Sequence, residues 1–116
     1  MKNLKVTISK KVLAITTLSL FSLFASAVES IPQQEITNIR VEGIYGFIGF
    51  STGFSSPSTC GGNRVWVDLS NEVERIKYST ALAAFTAGKK VNIRANERSR
   101  GVVFGACQMY DIYVTK

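Results

Sequence analysis

Histidine is absent from this 116-residue chain, and cysteine, proline and tryptophan are rare, with two, two and one residues. A Ser-His-Asp or Cys-His catalytic arrangement is therefore impossible, because imidazole is the general base in both. Two thiols without histidine do not make a zinc site. No glycine-rich loop ends in the Lys-Ser or Lys-Thr pair that binds phosphate. These absences exclude the common nucleophilic, metal and nucleotide chemistries, and we expect no metal and no cofactor.

Paired carboxylates are the catalytic arrangement that the composition leaves open, because two acids can hydrolyse a glycosidic bond. The chain has eight acidic residues. Glu72 and Glu74 are two positions apart in a predicted helix and therefore point in different directions. Asp68 and Asp111 lie on predicted strands, where each can be either buried or solvated. No pair is favoured, and the sequence predicts a protein that is not an enzyme.

The first 27 residues have the pattern of a secretory signal peptide. Four lysines without an acid precede a short apolar run, residues 12–24, and a small-residue triplet that ends at Ala27. The apolar run is shorter than the 20 or so residues of a membrane-spanning helix. We therefore predict an exported protein, periplasmic or secreted, with no stable membrane insertion. The mature chain is predicted to be one small domain, residues 28–116.

The formal charge of +6 belongs mostly to the predicted signal peptide. Removal of its four lysines leaves ten basic residues against eight acidic ones, a net charge of about +2. A charge this small favours neither a nucleic acid nor an anionic membrane as the partner. We expect no nucleic-acid binding.

The two cysteines, Cys60 and Cys107, are predicted to form one disulfide, as two thiols in an oxidising compartment most simply do. They lack the C-x-x-C spacing of a redox pair. In the chain-entropy treatment, closing a loop of this length stabilises the fold by about 4 kcal/mol. That is a large share of the stability of a small domain.

The hydrophobic pattern predicts a mainly β domain with a single helix. Strands with alternating apolar residues are expected at residues 35–42, 64–69, 90–95, 102–107 and 109–114, with a glycine-rich, aromatic strand from Gly43. A helix that Ser70 can cap starts between residues 70 and 78 and ends at Gly88. Five or six short strands with the helix between strands three and four predict a small OB-like barrel. The strand glycines suit a strongly bent barrel strand, where a side chain would obstruct the coil.

Aromatic residues among small polar ones form the first candidate binding surface. The candidates are Tyr45, Phe54, Ser55 and Trp66, because a ring covers the apolar face of a sugar while hydroxyl groups bind its edges. The alternative is that the aromatic side chains, Phe47 and Phe50 included, fill the barrel. Trp66 faces away from Val65 and Val67, and therefore either packs under the helix or lies at an interface.

A basic group is the second candidate surface. Arg94, Arg98 and Arg100 surround Glu97 near a predicted turn. They form either a solvated hairpin tip or the rim of a site for an acidic partner, such as a sialylated glycan or a carboxylate-rich protein surface. Arginine suits a carboxylate because its guanidinium donates two parallel hydrogen bonds.

Residues 78–94, YSTALAAFTAGKKVNIR, resemble the helix-then-strand segment of bacterial AB5 toxin binding subunits of the subtilase-cytotoxin and typhoid-toxin type. The resemblance implies an exported OB-fold domain with a disulfide that assembles into a pentameric ring and binds glycans. This chain has one cysteine pair where those proteins often have more. Its segment before Gly43 does not match their sugar-contacting serine and tyrosine positions, and no glycan-site residue is taken from them.

Two functions remain for this domain. The first is a non-catalytic module that binds a glycan or a surface protein and forms a homo-oligomer. The alternative is a monomeric periplasmic protein that binds another protein or inhibits a hydrolase. Such an inhibitor would present the loop of residues 51–63, which Cys60 anchors. The oligomeric state distinguishes the two functions.

Overall fold

The computed structural model describes residues 28–55 and 57–116, and the predicted signal peptide lies outside them. Within these residues the fold is mainly β, and its one α-helix follows the third strand. The elements are β1 (Val28–Glu42), β2 (Tyr45–Phe50), β3 (Arg64–Asp68), α1 (Glu72–Ala87), β4 (Lys90–Asn96), a 3-10 helix (Arg98–Arg100), β5 (Val102–Val103) and β6 (Ala106–Val114). This order confirms the predicted fold class, with the helix between strands three and four.

The six strands form one sheet that closes into a ring. Their order is β3-β2-β1-β4-β6-β5, and β3 also pairs with β6. The closing pair is parallel, with Val65 opposite Cys107 and Trp66 opposite Gln108. Every other pairing is antiparallel. A small closed sheet with a helix after the third strand is OB-like.

Strand β1 is longer than the sequence predicts and belongs to both halves of the sheet. Its first part pairs with β4 and its second part with β2, with register shifts at Ile31/Gln34 and Ile36/Asn38. Irregularities of this kind bend a strand and increase its twist. The prediction that the strand starts at residue 35 is wrong, because Pro32 and two glutamines hide the alternation before the first bend.

The hydrophobic core fills the inside of the ring. Its largest fully buried side chains include Phe50, Ile48, Ile93 and Met109. Helix α1 contacts β1, β3, β4 and β6 and buries Ala81 and Ala84. A Cβ at Gly46 would lie 2.9 Å from the ring of Tyr78, so that only glycine lets the helix pack this closely on β2. The glycine thus makes room for the helix, whereas the sequence predicts that the strand glycines serve the bend of the strand.

Both ends of α1 are capped by single residues. Asn71, and not the expected Ser70, is the N-cap, and its Oδ1 accepts a hydrogen bond of 3.1 Å from the backbone of Glu74. Ser70 instead donates from its backbone and its hydroxyl to Asp68. Gly88 has φ +63°, the left-handed conformation of a helix C-cap, as predicted.

The chain reverses between β5 and β6 earlier than expected. The predicted strands 102–107 and 109–114 are wrong, because the turn lies at Phe104 and Gly105 and β6 runs without a break from Ala106. Both turn residues have positive φ, 47° and 79°. Two such residues make the turn whose twist suits a tight hairpin. Phenylalanine rarely adopts this conformation, which is why the sequence does not signal the turn.

The disulfide between Cys60 and Cys107 is confirmed, with a Cα–Cα distance of 5.8 Å. Both cysteines are buried. The bond joins the long loop after β2 to the strand that closes the ring. The loop is therefore tied to the core at a point where the sheet also closes.

Replacing Cys60 and Cys107 together by serine is expected to lower the free energy of unfolding by about 4 kcal/mol, because the unfolded chain loses its cross-link. Urea denaturation of the oxidised wild type and the double variant measures this difference. Reduced wild type serves as the control and should match the variant. Equal midpoints for oxidised wild type and variant would contradict the role given to the disulfide.

Candidate ligand-binding surface

Four aromatic side chains, which we call the aromatic patch, lie on the outer face of β2, β3 and the β5–β6 turn. The ring of Tyr45 meets Trp66 edge-on with a centroid distance of 5.7 Å, and Phe104 in the same way at 6.4 Å. The ring of Phe47 lies 6.0 Å from that of Phe104. Edge-to-face contacts at these distances are favourable. The patch is therefore a fixed arrangement of rings rather than a set of independent side chains.

The alternation of β3 puts Trp66 outside the ring. Val65 and Val67 are fully buried in the core, so that the residue between them points away from it. Phe47 is the register partner of Trp66 on β2 and shares its face. Phe47 is 2% exposed and Phe104 is 61% exposed, which makes the first the floor of the patch and the second its outer edge. Of the two phenylalanines expected to fill the barrel, only Phe50 does so.

Arg64 supplies a positive charge beside the rings. Its guanidinium carbon lies 4.8 Å from the ring centroid of Phe47, the distance of a cation–π contact. Its Nη2 donates a hydrogen bond of 2.5 Å to the carbonyl oxygen of Phe104. Arg64 therefore fixes the turn that carries the exposed ring. Arg64 lies two positions before Trp66 and on the same face of β3. This spacing is the sequence signal that could have identified Arg64 as a neighbour of the aromatic rings.

The indole N–H of Trp66 has no hydrogen-bond partner among the described residues, although its nitrogen is buried. A buried indole N–H normally has a partner, because an unmade hydrogen bond there is costly. The patch thus combines exposed aromatic surface, one cation and one unpaired donor. Chemically, the exposed rings can cover the apolar face of a ring-shaped ligand, and the guanidinium of Arg64 can donate to its oxygen atoms.

The structure brings together only two of the residues predicted for a binding site, Tyr45 and Trp66. Phe54 is half-buried and packs against the core, and Ser55 is exposed on the loop. The patch also contains Arg64 and Phe104, which the sequence analysis missed. Phe104 could not be recognised because its exposure depends on a turn that its residue type does not favour.

The three predicted arginines lie on other elements. Arg94, on β4, donates from Nε to both carboxylate oxygens of Asp111, at 3.0 and 3.1 Å, and stacks 5.3 Å from the ring centroid of Tyr110. The hydrogen bonds and the charge of Asp111 raise the pKa of Arg94. Arg98 and Arg100 are exposed on the 3-10 helix, and the backbone N–H of Arg98 donates to Thr59 Oγ1 at 3.0 Å. Arg94 is therefore occupied by an internal ion pair.

Glu29 fastens the loop of residues 51–63 to the start of β1. Its carboxylate accepts hydrogen bonds from the backbone and hydroxyl of Thr59, at 2.8 and 2.6 Å, from the backbone of Cys60 at 3.1 Å, and from the hydroxyl of Ser58. Burial raises the pKa of Glu29, but the hydrogen bonds from Ser58, Thr59 and Cys60 outweigh it and lower the pKa from 4.5 to about 2.

A second set of hydrogen bonds holds the other end of the same loop. Gln34 donates from Nε2 to the carbonyl oxygen of Thr52 and accepts from its backbone N–H, both at 2.9 Å. The backbone N–H of Phe50 donates to the carbonyl oxygen of Asn63 at 2.7 Å. Together with the hydrogen bonds of Glu29 and the disulfide, these bonds tie the loop to the sheet at both of its ends. We call it the braced loop.

The chain matches no protein-family model, and no curated protein or solved structure is significantly similar to it. Within residues 28–55 and 57–116, no helix is long and apolar enough to cross a membrane. The same residues contain no cluster of three or more histidine, cysteine or acidic side chains that could hold a metal ion.

Glu29 predicts a pH dependence of stability. Because its pKa is lower in the folded state, the stabilisation by the carboxylate is complete above about pH 4.5 and is lost as the pH falls toward 2. Glu29→Gln is expected to cost about 2 kcal/mol at pH 7, since it removes hydrogen bonds to a charged group. The difference from wild type should shrink as the pH falls through this window.

Urea denaturation at several pH values from 7 to 2 measures this difference. The matched control is Glu35→Gln, which removes an exposed carboxylate from the same strand and should leave stability nearly unchanged. If the difference in the free energy of unfolding between wild type and Glu29→Gln stays constant down to pH 2, the stabilising role given to the Glu29 carboxylate is contradicted.

Proposed function

We propose that this protein is an exported, non-catalytic module that binds a glycan through the aromatic patch. The observation that best supports this proposal is the exposed ring of Phe104, which the rings of Tyr45 and Phe47 and the hydrogen bond from Arg64 hold in place at the surface. Chain folding alone gains little from an exposed ring. A bound ligand would cover it.

The chemistry of a sugar suits the patch. A pyranose ring has an apolar face of C–H groups, which packs on aromatic rings, and an edge of hydroxyl groups. Arg64 lies within the patch and can donate to a hydroxyl or, with two bonds, to the carboxylate of an acidic sugar.

We also propose that the protein is a homo-oligomer, as the resemblance to toxin binding subunits implies. The outer side of α1 supports this part of the proposal. Val73 and Ile76 are mostly exposed and lie one turn apart on the same face of the helix. Apolar side chains grouped on a surface often mark a contact with another chain. A second copy of the chain would cover them.

A second candidate function is the binding or inhibition of another protein by the loop of residues 51–63. The observation that favours it is the bracing of this loop by Cys60, Glu29 and Gln34. A loop that is already ordered loses little conformational entropy when it binds. This candidate predicts a monomer.

Phe104→Asn tests glycan binding without disturbing the fold. Asparagine tolerates positive φ, so the turn should be as stable as in wild type, while the exposed ring is lost. On a glycan array, wild type should bind a defined group of glycans. The affinity for them, followed by fluorescence of the single tryptophan, should fall about tenfold in the variant.

The control for this experiment is Tyr113→Thr, which removes an exposed aromatic ring from β6, away from the patch. It should bind as wild type does. The proposal is contradicted if no glycan binds to wild type, or if Phe104→Asn binds every glycan with unchanged affinity.

The oligomeric state separates the two candidate functions. Light scattering after size exclusion should give wild type the mass of several protomers, five if the toxin resemblance extends to assembly. Ile76→Glu should give a monomer, because it buries a charge in the contact. Thr86→Glu, at an exposed position near the other end of the same helix, should have little effect. A monomeric wild type would contradict the homo-oligomer and favour the braced loop as the binding element.

A further inference from the structure

A polar cleft lies where the start of α1 meets the end of β4 and the first half of β6. We call it the helix-start cleft, and its polar lining consists of Asn71, Glu74, Lys77, Asn96, Gln108 and Tyr110. Its volume is about 290 Å³, near the lower limit of small-molecule sites. The cleft therefore has room for a single small ring and not for a large cofactor.

Glu74 is the unusual residue of this cleft, because it is only 6% exposed. Its Oε1 accepts a hydrogen bond of 2.6 Å from Gln108 Nε2. Its Oε2 lies 2.8 Å from Lys77 Nζ, close enough for an ion pair, but it has no hydrogen-bond partner of suitable geometry among the described residues. The carboxylate thus keeps unused acceptor capacity on a buried oxygen beside the Lys77 ammonium.

The helix itself does not require a carboxylate at this position. Glu74 is three residues after the N-cap Asn71, where a glutamate side chain commonly returns to the N-cap backbone N–H. Here that N–H donates instead to the carbonyl oxygen of Asp68, at 3.1 Å. The side chain of Glu74 is therefore free to turn into the cleft. A buried charge is costly to the fold, so its presence there calls for a role outside helix capping.

The charges in the cleft indicate what kind of group it can bind. Lys77 repels a cation and Glu74 repels an anion, while the two together leave the site close to neutral. A hydroxyl group satisfies both, since it can donate to Glu74 Oε2 and accept from Lys77 Nζ. Neighbouring hydroxyls would find the amides of Asn96 and Gln108, and the half-exposed ring of Tyr110 lies at the edge.

The cleft also adjoins the aromatic patch. Trp66 and Gln108 are register partners on β3 and β6, and neighbouring strands are about 4.8 Å apart. Their neighbours Val65 and Cys107 are both in the core, so Trp66 and Gln108 share the outer face. The side chain of Gln108 lines the cleft, and that of Trp66 belongs to the patch.

From these observations we infer that the helix-start cleft is a second sugar subsite, which binds adjacent hydroxyl groups of one neutral hexose ring through Glu74 and Lys77. This inference rests on the proposed function, because the patch would bind the next ring of the same oligosaccharide. A glycan of at least two rings covers both sites. The protein then recognises one ring by stacking and the other by hydrogen bonds from buried polar groups.

Two NMR reporters distinguish the sites in the ¹⁵N-labelled, disulfide-bonded protein. The indole N–H of Trp66, the single tryptophan, reports on the patch, and the side-chain amide of Gln108 reports on the cleft. The probes are the methyl glycosides of glucose, galactose and mannose, followed by maltose, lactose and mannobiose. At least one disaccharide should change the chemical shifts of both reporters. The methyl glycoside of a monosaccharide that this disaccharide contains should change the chemical shift of Gln108 and bind at least tenfold more weakly than the disaccharide.

Glu74→Gln should reduce the affinity for the disaccharide about tenfold and abolish the Gln108 shift, while Trp66 still responds. Glu72→Gln is the matched control, because it removes an exposed carboxylate from the same helix turn and should bind as wild type does. Tyr110→Ala is a second variant on an exposed side chain, which does not endanger folding, and it should weaken the Gln108 shift.

The outcomes separate this inference from the proposed function. If Trp66 shifts and Gln108 does not move with any probe, the cleft is not a sugar subsite and the patch remains the binding site. If Gln108 shifts and Trp66 does not, the subsite holds and the proposed role of the patch is wrong. If neither moves, both are wrong. Unchanged affinity in both Glu74→Gln and Tyr110→Ala would also overturn the subsite.

Discussion

The parallel pairing of β3 with β6 is the constraint on which the rest of the structure depends. It converts a curved sheet into a closed ring and so gives the core an inside. Cys107 takes part in this pairing opposite Val65 and also forms the disulfide with Cys60. Cys107 therefore takes part in ring closure, in the anchoring of the long loop and in the disulfide, which is the largest covalent contribution to stability. A domain this small has few other means to stabilise its core.

The same pairing organises the outer surface. Side chains alternate along a strand, so the residue that follows a core residue points outward. Val65 and Cys107 are paired in the core. The next residues, Trp66 and Gln108, are therefore paired outside the ring. An aromatic residue and an amide thus become neighbours outside the ring. The aromatic patch extends from one of them and the helix-start cleft from the other. Both candidate binding surfaces follow from where the sheet closes.

Much of the fold could be predicted from the sequence, because local patterns encode it. The disulfide, the helix end at Gly88 and the position of the helix between the third and fourth strands of the chain follow from residue types and their spacing. The start of β1 and the β5–β6 turn could not, because bends and positive φ at a phenylalanine interrupt those patterns. Tertiary contacts override local preference at both places.

Less of the candidate site could be predicted, since its members meet only through tertiary structure. Tyr45 and Trp66 were recognisable as strand aromatics outside a core pattern. Arg64 and Phe104 are 40 residues apart and come together through a hydrogen bond from a side chain to a backbone carbonyl. Glu74 looked like an ordinary acid in the first turn of a helix. In the fold it is only 6% exposed, and Gln108 and Lys77 contact its carboxylate.

The bend in β1 has a consequence for how the chain can vary in length. Ile31 and Ile36 are both buried in the core although they are five positions apart, which a regular strand would place on opposite faces. The register shift between Ile31 and Gln34 restores the match. Deleting one residue there would remove the extra residue of the register shift, so that Ile31 and Ile36 would be four positions apart and would both still face the core in a regular strand. The extra residue is therefore needed for the bend of β1 and not for the burial of Ile31.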